Sequence, residues 1–518
     1  MGRNSDYKLR SIGWELTFAC NMRCKHCGSS CGMPKPDELT TEEAIKLCND
    51  LAELEPECVT LSGGEPFLRK DWHVIAERLR ENNVLVNAIS NGWLVDKDVV
   101  KKALEVGLSN ICVSLDGLEK THNYLRAKES FQRVMRALDV MQKMGLPSSV
   151  CTTLNKNNLD ELPALYGLLV DRRIESWQLQ LADPMGNLLA HTELVLEPDD
   201  IGRIIDFAYE VMKEGRIIVD IADNIGYFDN KTTEISKKSF LSAGCSRSDG
   251  VWKGCQAGKS VLGIRCNGDV VPCLSIREDR FIEGNVRKTS LFEIWTRSGA
   301  FAWNREMSQN NLTGFCKKCQ YSSLCLAGCT TQKITINNDL YENGFCIYRV
   351  EVEKEIKRVR SVDDANRLVL EAGRFIRNEQ FNIAEACLEK VLSIDPNNIE
   401  ALDQLGFVKY SLEKYDESIK LNEQSLKLNP SNAYAHKGLG VCYAKTGRAE
   451  EGIKLLRKAV ELADTDFMDP YYDLAVILDE NNQTKEAIEV LNKGRAKSAD
   501  FTMKSDELYN LLLAKTRR

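Results

Sequence analysis

Three cysteines, Cys20, Cys24 and Cys27, fall at C-x3-C-x2-C spacing within Ala19-Cys20-Asn21-Met22-Arg23-Cys24-Lys25-His26-Cys27, directly behind the apolar run from Ile12 to Phe18. This stretch constrains the chain more than any other. It predicts a strand that ends in a loop offering three thiolates at short range, which suits an iron–sulfur cluster held by cysteine alone. A cubane has one more iron than three ligands can cap, leaving an iron free to bind something else. A structural zinc would want a fourth protein ligand, and no Cys or His completes a familiar zinc spacing here. His26, wedged between two cysteines, would be strained in that role.

The chain has nineteen cysteines in all, and its first eleven residues are too polar for a secretion signal. Metal binding is therefore the better default than disulfides, and a cytoplasmic location is expected. The net charge of −7 argues against nucleic acid or an anionic membrane as partner. No apolar run approaches the roughly 20 residues of a membrane span.

From residue 1 to about 235, apolar β-branched runs alternate with amphipathic stretches, the pattern of βα units and a parallel sheet. Strands are expected at Gly13–Phe18, Cys58–Ser62, Val84–Ser90, Asn110–Leu115, Ser148–Leu154 and Trp177–Leu181. Helices are expected at Thr41–Glu53, Trp72–Asn82, Asp98–Val106, Phe131–Met144 and Leu159–Val170. Thr40 and Glu43 form a capping box for the first helix. In parallel sheets, functional residues gather at the carboxyl ends of strands. Gly63-Gly64-Glu65-Pro66 follows the second strand, Ser90-Asn91-Gly92 ends the third, and Ser114-Leu115-Asp116-Gly117 ends the fourth. Each alone reads equally well as a tight turn; together, behind the cysteine loop, they read as one site. His122 and Arg126, one turn apart on an expected helix, read either as facing the active site or, at least as well, as a solvated helix face, and are left out of the expected site. Cys31 lies in the cysteine loop and is a possible hydrogen-atom donor. Cys48, Cys58, Cys112 and Cys151 read as small buried residues.

The cysteine loop resembles that of the radical S-adenosylmethionine enzymes, with His26 in a place usually held by an aromatic. The resemblance implies an open six-unit (β/α) barrel and a [4Fe–4S] cluster on Cys20, Cys24 and Cys27. In that family the open iron chelates S-adenosylmethionine, whose reductive cleavage releases a 5′-deoxyadenosyl radical. Gly63, Gly64, Glu65 and Pro66 resemble the segment that holds the cosubstrate's methionine amino group. By the same resemblance Ser114 and Asp116 lie at the ribose, and Ser90 and Asn91 line the cavity.

From about 236 to 360 the cysteines come in a block that no packed core would ask for. Cys255 is followed by Gly268 and Cys273, then Cys316-x2-Cys319-x5-Cys325-x3-Cys329, then Cys346. Asn267-Gly268 between apolar flanks predicts a β-hairpin. Two zinc sites are the bland alternative. The spacing resembles the SPASM domain of peptide-modifying radical enzymes. That resemblance implies an outer cluster on Cys316, Cys319, Cys325 and Cys346, and an inner one on Cys255, Cys273 and Cys329. The inner cluster's fourth ligand stays open between Cys245, a non-cysteine group and none. Cys266 sits at the hairpin tip, too far from Cys273 along a strand to share a cluster.

From about 361 to 518 the chain repeats at 34 residues: Leu405-Gly406 recurs as Leu439-Gly440, Ile419 as Ile453, Asp395-Pro396 as Asn429-Pro430. These resemble tetratricopeptide repeats, about four of them, with Ser505–Lys515 as a capping helix. The resemblances together imply a radical enzyme with three [4Fe–4S] clusters that modifies a peptide or protein docked on the repeats, with a flavodoxin or ferredoxin as electron donor. A dehydrogenase or rearrangement enzyme for a small molecule is the first alternative. A non-catalytic iron–sulfur scaffold is the second, and the intact strand-end set argues against it. Leu274, just after the hairpin cysteine, stands where the sulfatase-maturing branch would carry aspartate.

Overall fold

The computed structural model describes residues 7–242 and 252–516, which leaves Cys245 outside the described residues. Its residues cluster into two compact units, Met1–Val350 and Glu351–Arg518.

The first unit is built on parallel strands β1 (Ser11–Glu15), β2 (Cys58–Ser62), β3 (Leu85–Ser90), β4 (Asn110–Ser114), β5 (Ser148–Leu154), β6 (Ser176–Leu181) and β7 (Ile218–Ile221). They pair in chain order, each parallel to the next, with Ser11 opposite Cys58 and Glu15 opposite Ser62 at the first join. The helices between them, α1 (Thr41–Ala52), α2 (Trp72–Glu81), α3 (Lys97–Glu105), α4 (Glu119–Leu125), α5 (Ser130–Met144), α6 (Leu162–Asp171) and α7 (Asp200–Glu214), supply the crossovers. α1 starts where its capping box dictates: Thr40 Oγ1 accepts from the Glu43 N–H and Glu43 Oε2 accepts from the Thr40 N–H. Its Ala44, Leu47, Cys48 and Leu51 recur at helical spacing and are buried.

Two features depart from the sequence expectation. β7 adds a seventh strand; four residues of mixed polarity gave no alternation long enough to register. The hairpin β8 (Val261–Ile264) and β9 (Asp269–Val271) then joins the same sheet, β8 pairing parallel with β1 and β10 (Gly284–Asn285) closing the order β10-β9-β8-β1. A bare β1 edge would leave backbone groups unpaired, so the cysteine-rich segment covers it. The division expected at residue 235 is thus no break in the sheet. Gly268 takes φ +86° at the hairpin tip, as the Asn-Gly pair predicts.

The second unit is helical. Four antiparallel pairs, Ala365–Arg377 with Phe381–Ile394, Ile399–Ser411 with Tyr415–Leu428, Ala433–Lys445 with Ala449–Leu462, and Asp469–Glu480 with Thr484–Arg495, are followed by Ala499–Thr516. Glycine at the repeat position is a packing demand: a Cβ on Gly440 would meet Leu456 Cγ at 2.7 Å and the Gly452 carbonyl at 3.0 Å. Among the described residues no helix is long and apolar enough to cross a membrane.

Candidate active site and cluster-binding cavities

The cysteine loop hangs from the carboxyl ends of β2 and β3. Gly64 N–H donates to Thr17 O at 2.9 Å and Glu65 N–H to Ala19 O at 2.8 Å. A Cβ on Gly64 would fall 2.1 Å from Ala19 O, and one on Gly63, at φ +139°, 2.5 Å from Thr17 O. Both glycines are therefore required by close approach of the loop itself. Asn91 Nδ2 donates to Asn21 Oδ1 at 2.7 Å, tying β3 to the loop.

These contacts frame a cavity of about 270 Å³ lined by Cys20, Cys24 and Cys27 together with His26, Gly63, Gly64, Ser90, Asn91 and Ser114. Cys31 lines it as well. Glu65, Pro66 and Asp116 stand behind that wall, fully or nearly fully buried. Both oxygens of Glu65 are engaged, Oε1 by Ser90 Oγ at 2.9 Å and Oε2 by the Asn91 N–H at 2.8 Å. Burial pushes its carboxyl up to about 7, against the pull of the Asn91 and Ser90 hydrogen bonds.

Asp116 is the hub of a buried polar group. Oδ2 meets His26 Nε2 at 3.0 Å and Arg126 Nε at 2.5 Å, and Oδ1 accepts from the Thr153 N–H at 2.8 Å. Burial opposes its ionisation, but Arg126 and then His26 outweigh it and hold the carboxyl well below the usual range. The structure corrects the solvated-face reading of His122 and Arg126. His122 is fully buried and its Nδ1 accepts from the Asp116 N–H at 3.0 Å, while Arg126 lines the cavity with its Nη1 4.0 Å from Cys24 Sγ. Burial, then Arg126, pushes the His122 imidazole down to about 3.

Cys316, Cys319, Cys325 and Cys346 line a second cavity walled by the rings of Tyr227, Phe228 and Tyr321. The Phe228 and Tyr321 rings stack with centroids 4.3 Å apart. Cys255, Cys273 and Cys329 line a third cavity, of about 310 Å³. It shares Gln180, Asp183, Asn224 and Ser275 with the first, so those four residues form the seam between them. Cys266 is placed elsewhere, its N–H directed at Glu15 Oε1.

The donor sets fit iron–sulfur clusters: Cys20, Cys24 and Cys27 in the first cavity, with Cys31 as a fourth thiol on its wall, four thiols in the second and three in the third. His26 Nδ1, buried without a partner, is left for a ligand in the first cavity. A cluster on Cys20, Cys24 and Cys27 would supply one-electron chemistry to a ligand in the cavity. The chain's own groups would hold that ligand, and the Asp116 hub would keep His26 and Arg126 oriented towards it.

Sequence reasoning weighed Arg126 but left it out of the site, and missed Thr153, Gln180, Asp183, Asn224 and Arg277. Thr153 and Gln180 stand at the ends of β5 and β6, where the strand-end rule could have found them. Arg277 had no local signal; its Nη1 reaches Glu15 Oε2 at 2.6 Å, and it also binds Ser29 Oγ in the cysteine loop.

Residues 14–169 match the radical SAM superfamily, 255–320 an iron–sulfur cluster-binding domain, and 405–467 a tetratricopeptide repeat. The AdoMet-dependent heme synthase of Methanosarcina barkeri is 30% identical over 345 residues, covering 66% of this chain and 97% of that protein. The mycofactocin maturase MftC of Mycolicibacterium smegmatis is 28% identical over 332 residues, 62% of this chain and 78% of that protein. Among solved structures, Streptococcus suis SuiB bound to its precursor peptide SuiA aligns with a TM-score of 0.52 at 15% identity, covering 65% of this chain and 76% of that one. The anSMEcpe structure with bound AdoMet and the Cp18Cys peptide aligns at 0.51 and 19%, covering 67% and 97%. The chain belongs to the radical S-adenosylmethionine superfamily, as an enzyme that carries a SPASM-type iron–sulfur domain and tetratricopeptide repeats.

Proposed function

We propose that the enzyme forms a 5′-deoxyadenosyl radical from S-adenosylmethionine and uses it to abstract hydrogen from an unactivated C–H bond of a ribosomally made peptide or protein. The product is a crosslink, an epimer or an oxidised residue. Cys20, Cys24 and Cys27 hold the first [4Fe–4S] cluster, and His26, Gly63, Gly64, Ser90, Asn91 and Ser114 face the cosubstrate. Glu65, Pro66 and Asp116 act one layer back, by fixing those residues. Cys255, Cys273 and Cys329 hold an inner auxiliary cluster, and Cys316, Cys319, Cys325 and Cys346 an outer one. A flavodoxin or ferredoxin of the cytoplasm supplies the electron.

The observation that carries the peptide reading is the joining, in one chain, of this catalytic unit to four helical repeats of a kind that forms extended grooves. A second reading, a small iron porphyrin as substrate, is favoured by the 30% identity with a heme synthase over nearly all of that protein's length. One experiment separates them. Anaerobic, cluster-loaded enzyme is given S-adenosylmethionine with either a short peptide encoded beside its gene or an iron porphyrin. A mass change in the peptide, with 5′-deoxyadenosine formed above the substrate-free rate, supports the first reading; a mass change in the porphyrin alone replaces it with the second.

A further inference from the structure

Lys333 is among the largest fully buried side chains of the protein, and it carries a potential charge. It lies in the short helix Thr330–Ile336, which begins immediately after Cys329. Among the described residues no carboxylate stands within ion-pair distance of its Nζ. The ammonium donates to Leu326 O at 3.3 Å and lies 4.0 Å from Met307 Sδ. The acidic groups in its electrostatic reach are thiols, those of Cys255 and Cys329 from the inner set and Cys325 and Cys316 from the outer. A buried ammonium without an anion is expensive enough that proteins rarely keep one.

The carbonyl that Lys333 holds is also informative. Leu326, Ala327 and Gly328 take φ of +50°, +62° and +72°, so three successive left-handed residues join Cys325 of the outer set to Cys329 of the inner. Two of them are not glycine, and such backbone persists only where its surroundings enforce it. Lys333 pins the first residue of this turn. Lys259, half-buried, lies within reach of Cys255 and Lys333 and adds a second cation on the inner side.

We infer that Lys333 is a positioning residue shared by both auxiliary clusters: it is the counter-charge that sets their reduction potentials and fixes the turn that links them. This rests on the iron–sulfur reading of the two cavities. Thiolate ligands leave a cubane net negative, and reduction adds a further negative charge. A fixed ammonium beside it favours the reduced form and raises the potential, net charge being one of the levers on such clusters.

The test is made in the full chain carrying Cys20→Ala, Cys24→Ala and Cys27→Ala, so that only auxiliary clusters contribute. This background should load about eight irons, four for each of two cubanes. Lys333→Met removes the charge while keeping most of the volume. Iron should stay near eight while an electron-paramagnetic-resonance redox titration moves to lower potential. A tenfold loss in the one-electron reduction equilibrium corresponds to about 59 mV, and at least that is expected. Unchanged potentials at full iron would overturn the role of Lys333 and leave the clusters standing. Far fewer than eight irons in the parent background would remove the cluster reading and this inference with it.

Discussion

His26 Nε2 lies 3.0 Å from Asp116 Oδ2, so a residue of the cysteine loop is paired with a carboxylate at the end of β4. Arg126 closes on the same oxygen from the end of α4. Loop and barrel are thereby locked through one buried charge, and Asp116 is committed to the protein. Asp116→Asn leaves the Arg126 guanidinium buried without its counter-ion, a loss of about 3–5 kcal/mol for breaking such a pair. Urea unfolding should report that loss. Adding Arg126→Met should recover part of it, because the two residues share one interaction. Full additivity of the two substitutions would show that the pair does not act as a unit.

The same group makes stability depend on pH through His122. Its folded pKa is depressed to about 3, against about 6.5 for the unfolded chain. Between these values the unfolded chain binds the extra proton, so stability rises with pH across that window. The contribution is whole above about pH 6.5 and is lost on acidification towards pH 3, by a few kcal/mol in all. Asp116, held below the usual carboxylate range, stays ionised in the folded protein and adds a slope of the same sign only below about pH 5, where the unfolded chain's aspartate takes up its proton. The groups facing the imidazole are Arg126, Asp116 and His26. His122→Gln should flatten the pH dependence of the unfolding midpoint between pH 6.5 and 4.5, and an unchanged slope would assign the acid loss elsewhere.

Glu65 offers a test of how the second strand end works. Its carboxylate ties Ser90 and Asn91 into place and lies behind the cavity wall. Glu65→Ala leaves a buried hydroxyl and a buried N–H without acceptors, costing about 1–3 kcal/mol each. Cosubstrate binding and 5′-deoxyadenosine formation should fall while iron stays at the parent level. Glu65→Gln, which keeps an acceptor, should lose less of both. Equal losses for Ala and Gln would mean that the carboxylate acts by its charge.

Iron content tests the three donor sets directly. Reconstituted protein should bind about twelve irons per chain, four for each of three cubanes. Joint replacement of Cys20, Cys24 and Cys27 by Ala should remove about a third of the iron and all cleavage of S-adenosylmethionine. A parent value near four would limit the chain to one cluster.

Much of this was legible in the sequence for a physical reason. Cysteine spacing, tight glycine contacts and strand-end polar residues are local, and each leaves its mark within a few positions. The runs from Cys58 to Ser62 and from Ser148 to Leu154 are strands with the expected bounds. The 34-residue period likewise needs no distant partner. What stayed hidden depends on contacts far apart in the chain. Arg126 reads as a surface residue until Asp116 is folded against it, and Arg277 finds Glu15 across 262 positions. The pairing of β8 with β1 is of the same kind. Burial of Lys333 has no sequence signature at all, because a lysine in a short polar helix is ordinarily solvated.

The repeats carry the last prediction. Fixing a flexible peptide costs roughly 1–2 kcal/mol per backbone residue, and a small cavity cannot offset that for a long segment. On the proposed reading, a docking groove on the same chain would offset it by raising the effective concentration of the reacting residue. Truncation after Arg360 keeps the helix Ile347–Arg360 whole, and with it the backbone next to Cys346. The truncated enzyme should keep its full iron content and cleave S-adenosylmethionine without substrate at the parent rate. Its affinity for a full-length precursor should fall at least about tenfold, while a short core fragment at high concentration should still react. Calorimetric binding and mass spectrometry of the product measure the two halves of that expectation. Equal binding and modification by the truncated and intact chains would end the docking role and leave the repeats as an assembly surface for another protein.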